Sequence, residues 1–561
     1  MAFDGITTKS IVCELNNKLI GAKINKVYQP NKLEIMLSAY NNGKNYNLNI
    51  NINPDFCRIH LTKYSKPNPL AALNFCMLLR KYLVGSKILS ISTFDLERTI
   101  EIKLECYNEL NDLVIRKLYI EIMSRQSNIV LTNENNVIID SLKHFEKALP
   151  AHIFESTAIT KNSFINLNNF EEFSNIIKAS SSNNLEEILS NSFIGFSKSS
   201  INTYLNILNI NKNNYDKTDL ENLYNYLKEL ISNIENGKTA LNFENKNYSI
   251  VSDINNNSFE NSYINYSLDE FYFNLEQNDL FKSAKNNLLK IILANLKKTS
   301  KKLENINKKL SECENMEIYK IYGQLLTSNL YRFNSNENLE FIELENYYDN
   351  NNLIKIPLDK TINIHKNADK FFKKYNKLKN TLEIVNVQKQ EALIEIDYIE
   401  SIVFSLEKAN NFDDLNDIYT EITENFQMKP QKNSNQNTKK KKIPSTAPAL
   451  ESITIDNYLI YYGKNNIQNN YLTLKFASKN DIWFHVQDLH GSHVVLKVNT
   501  PDEEIPENIL FECAKLAKEN SKASSSLNVP VDYCKIKFVK KIPGAKPGMV
   551  NYTNYKTIII K

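Results

Sequence analysis

FKSAKNNLLKIILANLKKTSKKLENINKKLSECENM, residues 281–316, is the stretch that decides the fold. In it Leu289, Ile292, Leu296, Thr299, Leu303, Ile306, Leu310 and Cys313 recur alternately three and four residues apart, with Lys, Glu and Asn between them. Residues 365–422 repeat the pattern through Phe371, Tyr375, Leu378, Leu382 and Val385. After an interruption at Lys389 it continues through Ala392, Ile396, Ile399, Val403 and Leu406. Neither run contains Gly or Pro. So narrow an apolar stripe is a coiled-coil seam, not a wide amphipathic face. Each arm spans roughly 50 Å or more at helical rise. The segment between them is too short for an independent domain. The pattern therefore predicts two antiparallel helices closed on each other as an arm over residues 273–428. A parallel dimer through one seam is the competing reading.

Outward from the arm, the chain alternates in character. Residues 1–152 read as two helices, Thr8–Ile20 and Asn68–Leu83, among nine short alternating stretches bounded by Asn, Gly and Pro. That grammar predicts an α+β domain built on an antiparallel sandwich. Residues 153–272 are mostly helical and polar. There Phe193-Ile194-Gly195-Phe196-Ser197 is either the turn of a helix-hairpin-helix, which offers backbone N–H groups to a phosphate, or an ordinary loop. Between the arms, Phe341–Glu345 and Leu353–Pro357 flank an Asp/Asn-rich turn, which predicts a tip hairpin near 340–358. Residues 429–449 carry Lys429, Lys432 and Lys439 to Lys442 without an acid, and read as a basic linker or a merely solvated tether. Residues 450–561 read as a compact α+β domain. Its expected strands are Tyr458–Tyr462, Tyr471–Ala477, Asp481–Asp488, Ser492–Val498, Tyr533–Lys540 and Lys556–Ile560, with one helix at Glu507–Lys522.

Composition sets limits. A chain of 561 residues exceeds what one hydrophobic core organises. A formal net charge of +4 is too mild to identify a nucleic-acid partner by itself, so local clusters must carry that argument. The seven cysteines form no CxxC pair and several lie in apolar runs, as buried thiols of a reducing compartment do. The first residues lack a signal-peptide pattern and no run of about 18 apolar residues exists, so a cytoplasmic protein without a membrane span is expected.

No Walker loop, dinucleotide fingerprint, nucleophile elbow or HExxH occurs. His485, His490 and His493 fall within nine residues, but no cysteine or paired carboxylate completes a metal set; satisfied histidines compete with a zinc site. What stands out is Arg and Lys interleaved with aromatics. In the first domain these are Arg80, Lys81, Arg98, Arg116, Lys117 and Arg125; in the last, Lys464, Lys475, Lys479 beside Trp483, Lys535, Lys537, Lys540, Lys541 and Lys546. Phosphates need such cations and unpaired bases stack on aromatic faces, so the combination points to RNA.

Certain stretches carry a resemblance. Residues 1–5 (MAFDG), 75–81 (FCMLLRK) and 116–131 (RKLYIEIMSRQSNIVL) closely resemble the N-terminal domain of the NFACT family. Residues 462–466 (YGKNN), 477–483 (ASKNDIW), 491–495 (GSHVV), 529–533 (VPVDY) and 539–548 (VKKIPGAKPG) resemble its C-terminal RNA-binding domain. The domain order agrees as well. The resemblance implies a glycosylase-like N-terminal fold, then a helix-hairpin-helix domain, the arm and the C-terminal α+β domain. It implies a cytoplasmic, ribosome-associated quality-control factor that binds obstructed large ribosomal subunits carrying peptidyl-tRNA. Such a factor recruits alanine tRNA and supports mRNA-independent alanine tailing of the stalled chain. Peptide bonds are left to the ribosome, so no catalytic residue, cofactor or metal is implied. The implied partners are the large subunit, its RNA and tRNA, with room for an accessory quality-control factor.

Carried over residue by residue, the family's Asp-Arg pair falls on Glu97-Arg98, and Arg80, Lys81, Arg125 and Gln126 join it as implied tRNA contacts. Ser124 and Gln126 stand where the family's bacterial pattern has Gly and His. Lys464, Lys479, Trp483, His485, His493, Lys540, Lys541 and Lys546 are the implied ribosomal RNA contacts. The chain lacks the N-terminal Pro-Glu that the glycosylases need, which disfavours that activity. The family's older name supplies the alternative, a fibronectin-binding surface adhesin; the expected absence of a secretion signal and the free cysteines argue against it.

Overall fold

The computed structural model describes residues 3–156, 161–244, 247–252, 264–333, 339–426, 447–500 and 503–561. The chain divides into two compact units, residues 1–279 and 280–561.

Unit 1 opens with α1 (Gly5–Leu19), followed by β1 (Lys23–Asn31), β2 (Glu34–Asn41), β3 (Lys44–Asn51) and β4 (Arg58–Leu61). Then come α2 (Asn74–Leu83) and β5 (Lys87–Thr93), β6 (Thr99–Tyr107), β7 (Leu113–Glu121), β8 (Asn128–Asn133) and β9 (Ile138–Ser141). All nine expected strands are present, but hydrogen bonding joins them into one antiparallel sheet, ordered β4-β3-β2-β1-β5-β6-β7-β8-β9, not two separate sheets. The β2–β3 connection shows how sequence fixes register. Asn42 and Gly43 both take positive φ (45° and 80°), as a two-residue primed turn requires, and Asn41 then pairs with Lys44. Along β6, Ile100, Ile102, Leu104 and Cys106 alternate into the core. Helix α2 begins six residues later than the apolar spacing predicts, because Pro67 and Pro69 hold the chain before it extended.

Unit 1 continues with α3 (Phe170–Lys178), α4 (Leu185–Ser192), α5 (Lys198–Ile207) and α6 (Lys217–Glu235), then a hairpin of β10 (Thr239–Glu244) and β11 (Asn247–Ser252). That hairpin was not expected. Its Tyr248 and Ile250 are nevertheless buried in the same core as α1 and the sheet. The first turns of α7 (Ile264–Glu314) are tied to the sheet by a buried ionic network. Arg58, 2% exposed, meets Glu276 at 2.8 Å, His60 at 2.9 Å and the Tyr272 ring at 4.5 Å. Lys66 reaches both Glu276 and Glu34 at 2.6 Å. Burial, then the Arg58 charge, pushes the His60 imidazole down to about 3, so this histidine stays neutral beside the cation.

In unit 2, α7 is followed by α8 (Met316–Ser328), a hairpin of β12 (Phe341–Asn346) and β13 (Asn352–Pro357), α9 (Ile364–Lys408) and α10 (Phe412–Asn425). α7 and α9 run antiparallel. Lys285 reaches the carbonyls of Glu407 and Ala409, Ile306 shares a buried layer with Val385 and Ala392, and Tyr375 bonds Glu317. The second heptad run does not continue unbroken to residue 422. It stops at Lys408, and Asn411 starts α10 by accepting the Asp414 N–H at 2.8 Å. The hairpin packs against α8 and the start of α9 through Leu325, Leu326, Ile342, Leu344, Ile356 and Ala368. The basic linker falls almost wholly on residues 427–446, outside the described residues.

The C-terminal part contains β14 (Glu451–Ile455), β15 (Tyr458–Tyr462), α11 (Asn466–Tyr471), β16 (Ile482–Val486), β17 (Val494–Leu496) and α12 (Glu507–Glu519). β18 (Val529–Lys535), β19 (Val539–Lys541), β20 (Val550–Tyr552) and β21 (Lys556–Ile560) complete it. Six strands form one sheet in the order β14-β15-β17-β16-β18-β21, and β19 pairs with β20. α12 covers one face through Ile509, Cys513, Ala514 and Ala517. The strand expected at Tyr471–Ala477 is instead helical: α11 runs into one π-helical turn, Leu472–Phe476. Asn465 explains the start, because its side chain accepts the Gln468 N–H and caps the helix ahead of the β-prone residues.

Candidate nucleic-acid interface

In unit 1 the N-terminus of α1 is built around Asp4. Its carboxylate accepts the Thr7 N–H at 3.0 Å and caps the helix. The same carboxylate accepts from the Ser200 hydroxyl at 2.5 Å and from the Ser197 N–H at 3.3 Å, so it also secures the start of α5. Ser197 caps α5 by accepting the Ser200 N–H. The turn between α4 and α5 closes on α1, because Gly195 offers its carbonyl to the Gly5 N–H at 2.9 Å. Gly195 sits at φ 89°, and a Cβ there would overlap Leu96; a Cβ on Gly5 would overlap the Leu96 carbonyl. Three distant stretches thus touch backbone to backbone, and only glycine fits two of the positions.

Leu96 leads directly to Glu97 and Arg98. Arg98 lines a cavity of about 320 Å³ with Lys161, Ser197, Lys198 and the glycine turn. Lys198 is the first residue of α5, where the helix dipole and N-terminal N–H groups favour an anion. It pairs with Glu187 only at 3.4 Å and with both side chains half-exposed; Lys161 donates to the Ser190 carbonyl at 2.7 Å. Three cations around a helix start are suited to a phosphate group.

Glu97 has a different position. It is 8% exposed, largely withdrawn from the surface, whereas Arg98 lines the cavity. Desolvation, then the nearby Asp95, raises its carboxyl above the usual range. Desolvation and Glu97 together push the Glu121 carboxyl up to about 7. Arg125 and Gln126 are exposed on a 3-10 turn, Ser124–Gln126, at the same end of β6–β7, where the Ile122 N–H bonds the Arg98 carbonyl. Ser124 takes φ 54°, which explains why glycine suits that position. Arg80 and Lys81 are not brought there. Lys81 pairs with Glu109 at 2.6 Å, beyond the far end of β6 and about 25 Å along the strand from Arg98, and Arg80 donates to the Val27 carbonyl.

Unit 2 splits its implied contacts in the same way. Lys479, Lys540 and Lys541 are exposed, and the Lys537 N–H bonds the Lys479 carbonyl, so these lysines lie on neighbouring segments. Lys464 is paired with Glu451 at 2.5 Å. Lys546 reaches Asn425 at 3.1 Å and lies over the Tyr398 ring, holding the C-terminal domain to the base of the arm. Trp483 is fully buried and His493 is 3% exposed, so neither belongs to an open surface. Burial pushes the His485 imidazole down to about 4 and His493 well below its usual range. Among the described residues no group of three His, Cys, Asp or Glu is placed to hold a metal ion, and no helix is long and apolar enough to cross a membrane.

Sequence reasoning missed Asp4, Lys161 and Lys198 as parts of this site. Asp4 carried a signal, an N-cap residue directly before Gly-Ile-Thr-Thr. Lys161 and Lys198 carried none, since only the docking of α5 on α1 brings them to Arg98.

Comparison with known proteins places this geometry in context. The family model described as NFACT N-terminal and middle domains matches residues 4–442. That described as NFACT protein RNA binding domain matches residues 450–554. The Rqc2 homolog RqcH of Bacillus subtilis is 33% identical over 586 residues, covering 100% of this chain and 98% of the relative. The Rqc2 homolog RqcH of Streptococcus pneumoniae is 30% identical over 573 residues, covering 100% and 97%. A solved structure described as the fibrinogen binding protein from Staphylococcus aureus is 27% identical, covering 48% of this chain and 99% of its own, with a TM-score of 0.40.

Proposed function

The chain belongs to the NFACT family, and on that premise we propose that it is a ribosome-associated quality-control factor. In this reading it binds obstructed large subunits carrying peptidyl-tRNA, recruits alanine tRNA and positions it for untemplated alanine addition to the stalled chain. The observation that carries the reading is the cavity where Arg98, Lys161 and Lys198 gather at the start of α5. Arg98 offers a planar fork for a phosphate or a base edge, and the two lysines add point charges beside it. Glu97 and Asp4 act behind them, Asp4 by fixing α5 against α1. The ribosome makes the peptide bonds, and the protein supplies position, which is bound with charge and hydrogen bonds and needs no catalytic group.

The test is the C-terminus of stalled chains. In cells expressing this protein and a stalling reporter, mass spectrometry should find alanine tails. Arg98→Ala should remove them while large-subunit binding through the rest of the chain persists. Tails of undiminished length in folded Arg98→Ala would overturn the assignment of Arg98.

A further inference from the structure

Unit 2 contains a second cavity, of about 420 Å³, between helix α9 and the C-terminal domain. Its lining includes Trp483, His485, His493, Asn469, Tyr552 and, from α9, Ser401. The wall is aromatic and stacked: His485 lies parallel to the Trp483 indole, with ring centroids 5.6 Å apart and planes 20° apart, and His493 stands edge-on to both. His493 is buried and His485 half-buried, and desolvation lowers both imidazoles so that they are uncharged at neutral pH. His493 shares one ring nitrogen with the Thr473 hydroxyl at 2.7 Å, and its ring also bonds the Asn469 backbone, so this imidazole is held in place. The Trp483 Nε1–H is buried and has no hydrogen-bond partner among the described residues. A buried N–H without an acceptor is costly, so an orphan donor beside a cavity points to an acceptor that arrives from outside.

The charges around the opening narrow the ligand. Lys464 is already paired with Glu451, while Asp397 and Asp488, both exposed, are among the lining residues and oppose an anion. The cavity therefore favours a flat, neutral group with donors and acceptors on its edge. Lys540 and Lys541, exposed on β19, directly precede Ile542 of the lining and suit the phosphates of a strand that enters here. We propose that this cavity receives one unpaired nucleobase splayed from a single-stranded RNA, stacked on His485 and read by the imidazole and indole nitrogens. The proposal rests on the RNA-binding reading above and deepens it.

Trp483 is the only tryptophan in the chain, so its emission reports on this cavity alone. The full-length protein is titrated with a mixed-sequence single-stranded RNA hexamer, the four nucleoside monophosphates, an RNA duplex and ribose 5-phosphate, with RNA retention followed in parallel by filter binding. The hexamer should quench emission with half-saturation at least tenfold below that of any monophosphate. The duplex and ribose 5-phosphate should leave emission unchanged. Ser401→Phe, which fills the cavity from α9, should abolish quenching without changing tRNA retention; His485→Phe, which keeps the ring face, should weaken it about tenfold. Unchanged emission with every base-bearing ligand, while the protein still retains RNA, overturns the cavity's role and leaves the RNA reading standing. Equal affinity for monophosphate and hexamer overturns RNA as the source of the base. Loss of all RNA retention overturns the reading beneath both.

Discussion

Glu121 sits opposite Thr99 in the β6–β7 ladder, beside the buried Glu97, and its carboxyl holds a proton up to about pH 7. Unfolded, the same group releases its proton near 4.5. The folded state therefore binds more protons between those values, so its contribution is fully present below pH 4.5 and falls as pH rises to about 7. Glu121→Gln, which stays neutral at every pH, should raise stability at pH 8 by about 2 kcal/mol and leave it nearly unchanged at pH 4.5. Chemical denaturation at the two pH values checks this; an equal effect at both would show that Glu121 is ionised in the fold. Of these residues the sequence revealed the chemistry but not the direction each faces. Adjacency made Glu97-Arg98 one motif, whereas the fold withdraws one side chain from the surface and sets the other at the cavity. Trp483 and His493 looked like surface stacking groups because an aromatic or histidine on a strand reads alike on either face.

At the scale of elements, periodicity was the dependable signal. The nine strands of the large sheet in unit 1 and both long helices follow from alternation and heptad spacing, because each buries one continuous face. The errors fall where a cap or a neighbour outweighs pattern. Residues 471–477 have strand-like composition, yet Asn465 starts a helix that carries through them. Strands β10 and β11 are short and polar on one side, and only the core of α1 and α5 recruits them. The seam between α7 and α9 is made of separable layers, each packing on the next. Excising residues 300–313 and 379–392 together removes two heptads from each helix and keeps the antiparallel register. That variant should fold and retain free tRNA in unit 1, while cosedimentation with large subunits, and tailing with it, should fall at least tenfold. A folded, shortened variant that still pellets fully would remove the arm from ribosome binding.

For the whole molecule, the order of parts was legible because each has its own hydrophobic period, and the cationic sites were legible only as residue types. What gathers Arg98, Lys161 and Lys198 is the contact of Gly5, Leu96 and Gly195, three backbone segments separated by about a hundred residues each, and no local pattern encodes such a meeting. The family membership covers both units, and the central claim is that this molecule is a carrier and positioner of tRNA. Purification of the full-length protein from cells at low salt, followed by sequencing of the RNA that comes with it, tests that claim most directly. The account predicts tRNA with alanine tRNA enriched above its cellular share, lost on Arg98→Ala and released as salt rises, as phosphate contacts require. RNA no richer in tRNA than a mock purification would contradict it.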